Sequence, residues 1–359
     1  SGRFYDGDSF AVFRPWAREL RARGISRVNG DLYLAHGLFE ARQIHPEWPR
    51  EQLASWYEAP IDALSFSDNC VLVRVIPAAK KGAPRVELVP HVRGILRVEN
   101  SARTTTSRRR QKLIVVRHGD VLSVSGSIHQ RSGPLEVWVT VPDPVQYFGA
   151  GLVAAFAEEG IDVRGRPRPV AELPGPVWER VAVAKSDLTT ALRVCNKHSQ
   201  NFYAESLLKL LGARRCGEGS WREGVRAVSE FLTGIGVPAG AFHMTDGSGL
   251  SRENRFTPRQ VTLLLRAMFL HPWGAEFVES LPLAGDGDGS LQHRLLEPPY
   301  RGNVFAKTGT IDGVSALSGY AKAVSGKTYA FSLLLNRTRS TAAARAEQDR
   351  IVMALVDHG

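Results

Sequence analysis

Four consecutive residues, Lys307-Thr308-Gly309-Thr310, bring together an ammonium group, two hydroxyls and a glycine. A cation flanked by hydroxyls can hold a carboxylate and tune a nearby proton transfer, because each group donates to an anion. The glycine leaves a bound backbone room to approach the strand that carries it. Upstream, Ser199-Gln200-Asn201 places a hydroxyl two residues before a carboxamide. The first can relay a proton and the second can hold a substrate amide. Taken alone these are weak signals, since short polar triplets recur by chance and Ser-x-Asn is an ordinary helix start. Their surroundings give them weight.

Residues 304–310 followed by 313–321 read as two short strands joined by a tight turn, which puts Lys307 on an edge strand. Ser199-Gln200-Asn201 opens the apolar run 202–211 and so lies at a helix N-terminus. Further helices are expected over 188–196, 221–233, 258–269 and 342–356, and strands over 304–306, 314–321 and 329–335. Helices against an antiparallel sheet make this half α+β. On the 202–211 helix the apolar residues claim the buried side. Glu205, Ser206 and Lys209 are left to solvent, with Glu205 and Lys209 as an i,i+4 ion pair. Ser206-Leu207-Leu208-Lys209 is the one Ser-x-x-Lys sequence in the chain, and a solvated lysine keeps its proton. Ser206 is therefore expected to be inert.

The N-terminal half divides differently. Residues 1–68 and 141–176 read as one α/β domain, with helices near 13–23 and 147–159, each stopped by a glycine. Residues 69–140 alternate and are β-branched, which makes them a nested all-β module. The proline-rich stretch 166–176 reads as the linker into the catalytic half, 177–359.

With 359 residues and 43% hydrophobic content, the chain can bury large cores in two or three domains. Its formal net charge is +10, densest over 103–112 around Arg108-Arg109-Arg110. That stretch has no interleaved aromatics, so no nucleic-acid partner is expected. A solvated loop is expected instead, with peripheral contact to an anionic wall or membrane surface open to it. No apolar run approaches a membrane span in length. Cys70, Cys195 and Cys216 are odd in number and lack metal-ligand spacing, so free thiols are expected. The glycine-rich stretches 246–249 and 285–289 neither follow a strand nor open a helix, and they lack calcium-loop spacing. They read as turns, and neither metal nor cofactor is expected.

Ser199-Gln200-Asn201 and Lys307-Thr308-Gly309 match two of the three motifs of the penicillin-interacting serine acyl-transferases. From Val181 onward the chain resembles the class C penicillin-binding proteins, the D-Ala-D-Ala carboxypeptidase/endopeptidase family of penicillin-binding protein 4 type. The matching residues run from Asn196 to Glu205, then Asp246-Gly247-Ser248-Gly249-Leu250-Ser251-Arg252, Leu281 to Gly285, Asp288 to Leu291, and Leu317-Ser318-Gly319-Tyr320 after the lysine motif. Earlier residues resemble the family's inserted domains, among them Trp48, Tyr57-Glu58-Ala59-Pro60, Asn69 and Val141-Pro142-Asp143-Pro144.

The resemblance implies a transpeptidase-like α+β domain preceded by inserted α/β and all-β modules. It implies catalytic Ser199, Asn201 and Lys307, and substrate-binding Thr308, Gly309 and Thr310. Peptidoglycan stem peptides and β-lactams would be the ligands, in the periplasm or otherwise outside the cytoplasm. Small β-lactamases have no comparable insertion, which weighs against that activity. Ser-x-x-Lys, the third motif, carries the nucleophile, and nothing before Ser199 fits it. The chain begins with Ser1, and its methionines are Met244, Met268 and Met353. A piece of a longer product is therefore expected, with the nucleophile in a segment outside it. The alternative is an inactive relative that binds wall peptides or partner proteins.

Overall fold

The computed structural model describes residues 7–359, so residues 1–6 of the expected α/β domain lie outside the described residues. The chain divides into two compact units, which meet in sequence at Lys185 and Ser186.

In the first unit, helix α1 (Arg14–Ala22) takes Pro15 in its first turn and stops at Gly24. The glycine holds φ at +77°, a left-handed conformation that costs it little. Strands β1 (Arg27–Val28) and β2 (Leu32–Ala35) follow. The chain then leaves for β3 (Cys70–Ile76), β4 (Arg85–Val89), β5 (Arg97–Asn100), β6 (Arg103–Thr105), β7 (Lys112–His118), β8 (Val121–His129) and β9 (Leu135–Thr140). Helix α2 (Pro144–Glu158) brings it back, capped by Asp143, which accepts from the Val145 and Gln146 N–H groups. Strand β10 (Asp162–Val163) pairs in parallel with β1, and β11 (Pro167–Val170) with β2.

The excursion folds as two sheets. One runs β4-β3-β9, all antiparallel. In the other, β8 pairs with β7 on one side and with β5 and β6 on the other. Leu122, Val124 and Ile128 of β8 are buried, and Leu122 and Val124 share a core with Val71, Val73, Val139 and the Phe13, Phe66 and Phe148 rings. Arg103 and Lys112 both register with Ser127, on the opposite, solvent face of that sheet.

The proline-rich stretch is not all linker, because 167–170 is strand. Pro167 and Pro169 sit on an edge strand, where a missing N–H is tolerated. The residues beside them serve the ladder: Arg166 O accepts from Leu32 N–H and Val170 O from His36 N–H, both at 3.0 Å.

Glu58 is fully buried, and neither carboxylate oxygen has a hydrogen-bond partner among the described residues. Burial raises its pKa from an ordinary 4.5 to about 7, with Glu51 adding a smaller push. Between those values the folded state holds a proton that the unfolded state has lost, so stability falls as pH rises through that window. A tenfold difference in proton affinity corresponds to about 1.4 kcal/mol, so ionising Glu58 should cost roughly 3 kcal/mol by pH 8. Urea midpoints of the native protein and of Glu58→Gln, taken from pH 5 to 8, should diverge in slope. Parallel curves would show that Glu58 ionises freely.

The second unit begins with α3 (Leu188–Lys197), capped by Asp187, then α4 (Asn201–Cys216) and α5 (Trp221–Gly234), capped by Ser220. Helix α6 (Pro258–Phe269) opens with a capping box in which Thr257 and Gln260 satisfy each other's backbone N–H groups. A short α7 (Gly274–Ser280), not expected from the sequence, leads to β12 (Val304–Ile311), β13 (Val314–Lys322), β14 (Thr328–Asn336) and α8 (Thr341–His358). The sheet runs β12-β13-β14, antiparallel throughout. One face packs Val304, Ala306, Leu317 and Ala321 with Val352 and Val356 of α8. The other carries Tyr320 against Leu265 of α6. No helix among the described residues is long and apolar enough to cross a membrane.

Helix α4 reverses the expected orientation of its charged face. Glu205 and Lys209 are fully buried, whereas Leu211 is 45% exposed. Glu205, Leu208, Lys209 and Gly212 make the buried stripe, at helical spacing. The cause is the close approach of α5. A Cβ on Gly224 would stand 2.2 Å from Leu208 O, and one on Gly212 would stand 2.8 Å from Gly224 N. Lys209 Nζ lies 3.5 Å from the centroid of the Trp221 ring. Ser206 is half-buried, and its Oγ is buried without a hydrogen-bond partner among the described residues. Its expected inertness therefore rests on an enclosed hydroxyl and not on a solvated lysine.

Candidate active site

Between α3 and α4 the chain reverses on Ser199, whose φ of +53° is left-handed. Such a conformation is costly for a residue with a side chain and is found where the surroundings impose it. Here it accompanies a short bond: Lys307 Nζ donates to Ser199 Oγ at 2.7 Å. The same ammonium donates to Thr308 O at 2.6 Å. Strand β12 runs through 307–310, so the lysine motif lies within the strand and not at its end. The Lys307 side chain is half-buried, yet the atoms packed around its ammonium push its pKa down to about 8. A proton held this loosely can be shared with a hydroxyl near neutral pH.

Ser199, Asn201, Lys307, Thr308, Gly309 and Thr310 all line one cleft of about 1290 Å³. Arg252, Arg255 and Arg337 line it as well, and Asp312 is the single acidic residue among the lining set. The excess of cations suits an anionic ligand. A methyl at Gly309 would stand 3.2 Å from Ala316 Cβ, its cross-strand neighbour, so glycine relieves crowding there besides keeping the cleft open. Cys195 also lines the cleft, but burial pushes its thiol up to about 11. It stays protonated at neutral pH and is no nucleophile.

Sequence reasoning missed two neighbours of the lysine motif. Thr308 Oγ1 donates to Ser290 Oγ at 2.7 Å, and Ser290 N–H donates to Lys197 O at 3.1 Å. Arg345 reaches Thr310 Oγ1 at 3.4 Å. The 285–290 turn is tied to the end of α3 by an ion pair of Lys197 with Asp286 at 3.4 Å and by a contact of His198 Nε2 with Asp288 Oδ1 at 3.2 Å. Acidic residues beside glycines in that turn, and a basic pair just before Ser199, were the available signal.

The profile of the D-Ala-D-Ala carboxypeptidase 3 (S13) family matches residues 9–357. The chain belongs to this family. Among its relatives is a D-alanyl-D-alanine carboxypeptidase from Actinomadura sp. (strain R39), 32% identical over 95% of this chain and 66% of that protein. Another is the D-alanyl-D-alanine carboxypeptidase DacB of Haemophilus influenzae, 26% identical over 89% of this chain and 67% of that one. The S13 chain thus spans about two thirds of the length of these relatives. Its architecture is that of penicillin-binding protein 4 from Haemophilus influenzae, with a TM-score of 0.81 at 23% identity, covering 96% of this chain and 79% of that one. It shares that protein's α+β fold, with a C-terminal antiparallel sheet.

Proposed function

We propose that this S13 chain carries the substrate-binding and proton-relay part of a serine-type D-Ala-D-Ala carboxypeptidase/endopeptidase acting on peptidoglycan stem peptides. A Ser-x-x-Lys segment outside these 359 residues supplies the nucleophile. The observation that carries the reading is the 2.7 Å bond from Lys307 to Ser199 in a cation-lined cleft. The terminal D-Ala carboxylate is held by the Thr308 and Thr310 hydroxyls and the Lys307 charge. Asn201 holds the peptide amide through its carboxamide. The incoming serine Oγ bonds to the penultimate carbonyl carbon as its proton passes to the lysine of its own motif and on to Ser199. The developing oxyanion accepts from the Thr310 N–H. Ser199 passes a proton to the leaving nitrogen as the C–N bond breaks, so D-Ala departs as an amine. Water then hydrolyses the ester.

β-Lactams present a similar carboxylate and amide to the same groups. A structure of the Haemophilus influenzae protein is complexed with a β-lactam. A wall substrate places the enzyme outside the cytoplasm. Fluorescent penicillin and a D-Ala-D-Ala peptide, offered to the full-length protein, test the reading. A label on the serine of a Ser-x-x-Lys segment, with D-Ala released, is expected. Peptide binding without label or release would mean a non-catalytic wall-peptide binder instead, and a label on Ser206 would overturn the assignment of the site.

A further inference from the structure

Residues 247–252 line the cleft beside Asn201, and what holds them is carboxylate. Asp246 is buried, and its Oδ1 accepts from Gly249 N–H at 2.9 Å and Asn254 Nδ2 at 2.7 Å. Its Oδ2 accepts from Ser251 N–H at 2.7 Å. Glu205 of α4 then fastens this loop to the helix. Its Oε1 accepts from Ser248 N–H at 2.7 Å, and its Oε2 from Gly247 N–H at 3.0 Å and from Trp221 Nε1 at 2.8 Å. Contact is direct, since a Cβ on Gly247 would stand 2.8 Å from Ala204 O.

Enclosing a carboxylate is expensive, and an apolar contact would join a loop to a helix more cheaply. What the carboxylate adds is direction. The two loop amides, each aimed at a different carboxylate oxygen, fix where the loop backbone lies, which an apolar side chain cannot do, while Trp221 steadies the carboxylate from α5. Asn201 stands four residues before Glu205, on the same face of α4. Moving Glu205 relative to Gly247 and Ser248 therefore changes the width of the cleft at Asn201.

We infer that Glu205 is a positioning residue, which sets the 247–252 wall against Asn201 so that the substrate amide is gripped between them. The inference rests on the peptidase reading for its kinetic consequence and on geometry alone for its structural one.

Glu205→Gln separates the two. Glutamine offers one oxygen, so its NH₂ must face a backbone N–H that glutamate accepts. In the full-length protein, amide exchange at Gly247 and Ser248 should accelerate, and kcat/KM for D-Ala release should fall by about tenfold or more, mainly through KM. Trp221→Phe removes the donor from α5 and leaves both wall amides. It should lower the melting temperature while keeping kcat/KM within about twofold of the native value. Native exchange and native kinetics in Glu205→Gln would overturn the inference. So would a Trp221→Phe defect as large as that of Glu205→Gln, which would reduce Glu205 to a stability role. If the native protein releases no D-Ala, the peptidase reading fails, and the exchange rates still decide the positioning role.

Discussion

Lys307→Ala should slow acylation of the full-length protein by roughly 10- to 100-fold while leaving its melting temperature nearly unchanged. Losing a charge-assisted hydrogen bond costs about 1.5–3 kcal/mol, which is that range of rate. The charge stands 2.7 Å from Ser199 Oγ, where the proposed proton transfer takes place, and beside the hydroxyls proposed to take the carboxylate. No large apolar group is removed, so the fold has little to lose. The lowered pKa of about 8 adds a pH signature. Protonated lysine predominates at pH 7 and is lost as pH rises through 8, well before a free lysine gives up its proton. Acylation should therefore fall on that alkaline limb. Lys307→Arg, which keeps its charge at any working pH, should move the limb upward even if its bulk lowers the plateau. Second-order rates of penicillin acylation from pH 6 to 10 measure both effects. A Lys307→Ala rate within about twofold of native would remove the residue from the site.

The groups that were legible in the sequence are those whose placement depends on local chain geometry. The Asp312-Gly313 turn determines which residues precede it on a strand, so Lys307 could be put on the edge of a sheet. The α4 boundary was legible because an apolar run begins at Phe202. Glu205 and Lys209 were not legible, because nothing local buries them. Their partners are Trp221 on α5 and the Gly247 and Ser248 amides, the last two 42 and 43 residues away from Glu205. Polarity was read as exposure, and the tertiary donors reversed it. Pro167 and Pro169 misled in a similar way. A proline-rich stretch reads as linker until a parallel partner, here β2 far earlier in the chain, uses the carbonyls beside it. Leu317-Ser318-Gly319-Tyr320 resembles the family's sequence, but nothing local explains its glycine. The pairing of the strands does.

Gly319 lies on the middle strand, opposite Ala306 of β12 and Phe331 of β14. A Cβ there would stand 2.0 Å from Phe305 O and 2.6 Å from Ala306 Cα. Both are backbone atoms, so no side chain can swing aside, and the strand itself must move. Overpacking usually costs about 1–3 kcal/mol, and a clash with main chain belongs at the top of that range or above it. Gly319→Ala should therefore lower the urea midpoint of unfolding of the second unit markedly. The catalytic loss should be larger than the stability loss. Lys307 is the residue after Ala306, and a displacement of about 1 Å in a reacting group can cost roughly 10²-fold in rate. Gly326→Ala is the control, since a Cβ there meets nothing within 4 Å and strain arises only from its φ of +86°. That variant should lose about 1 kcal/mol and acylate at the native rate. Should Gly319→Ala also acylate normally when folded, β12 would have to tolerate a shift without moving Lys307, and the close pairing of these strands would have no part in placing the site.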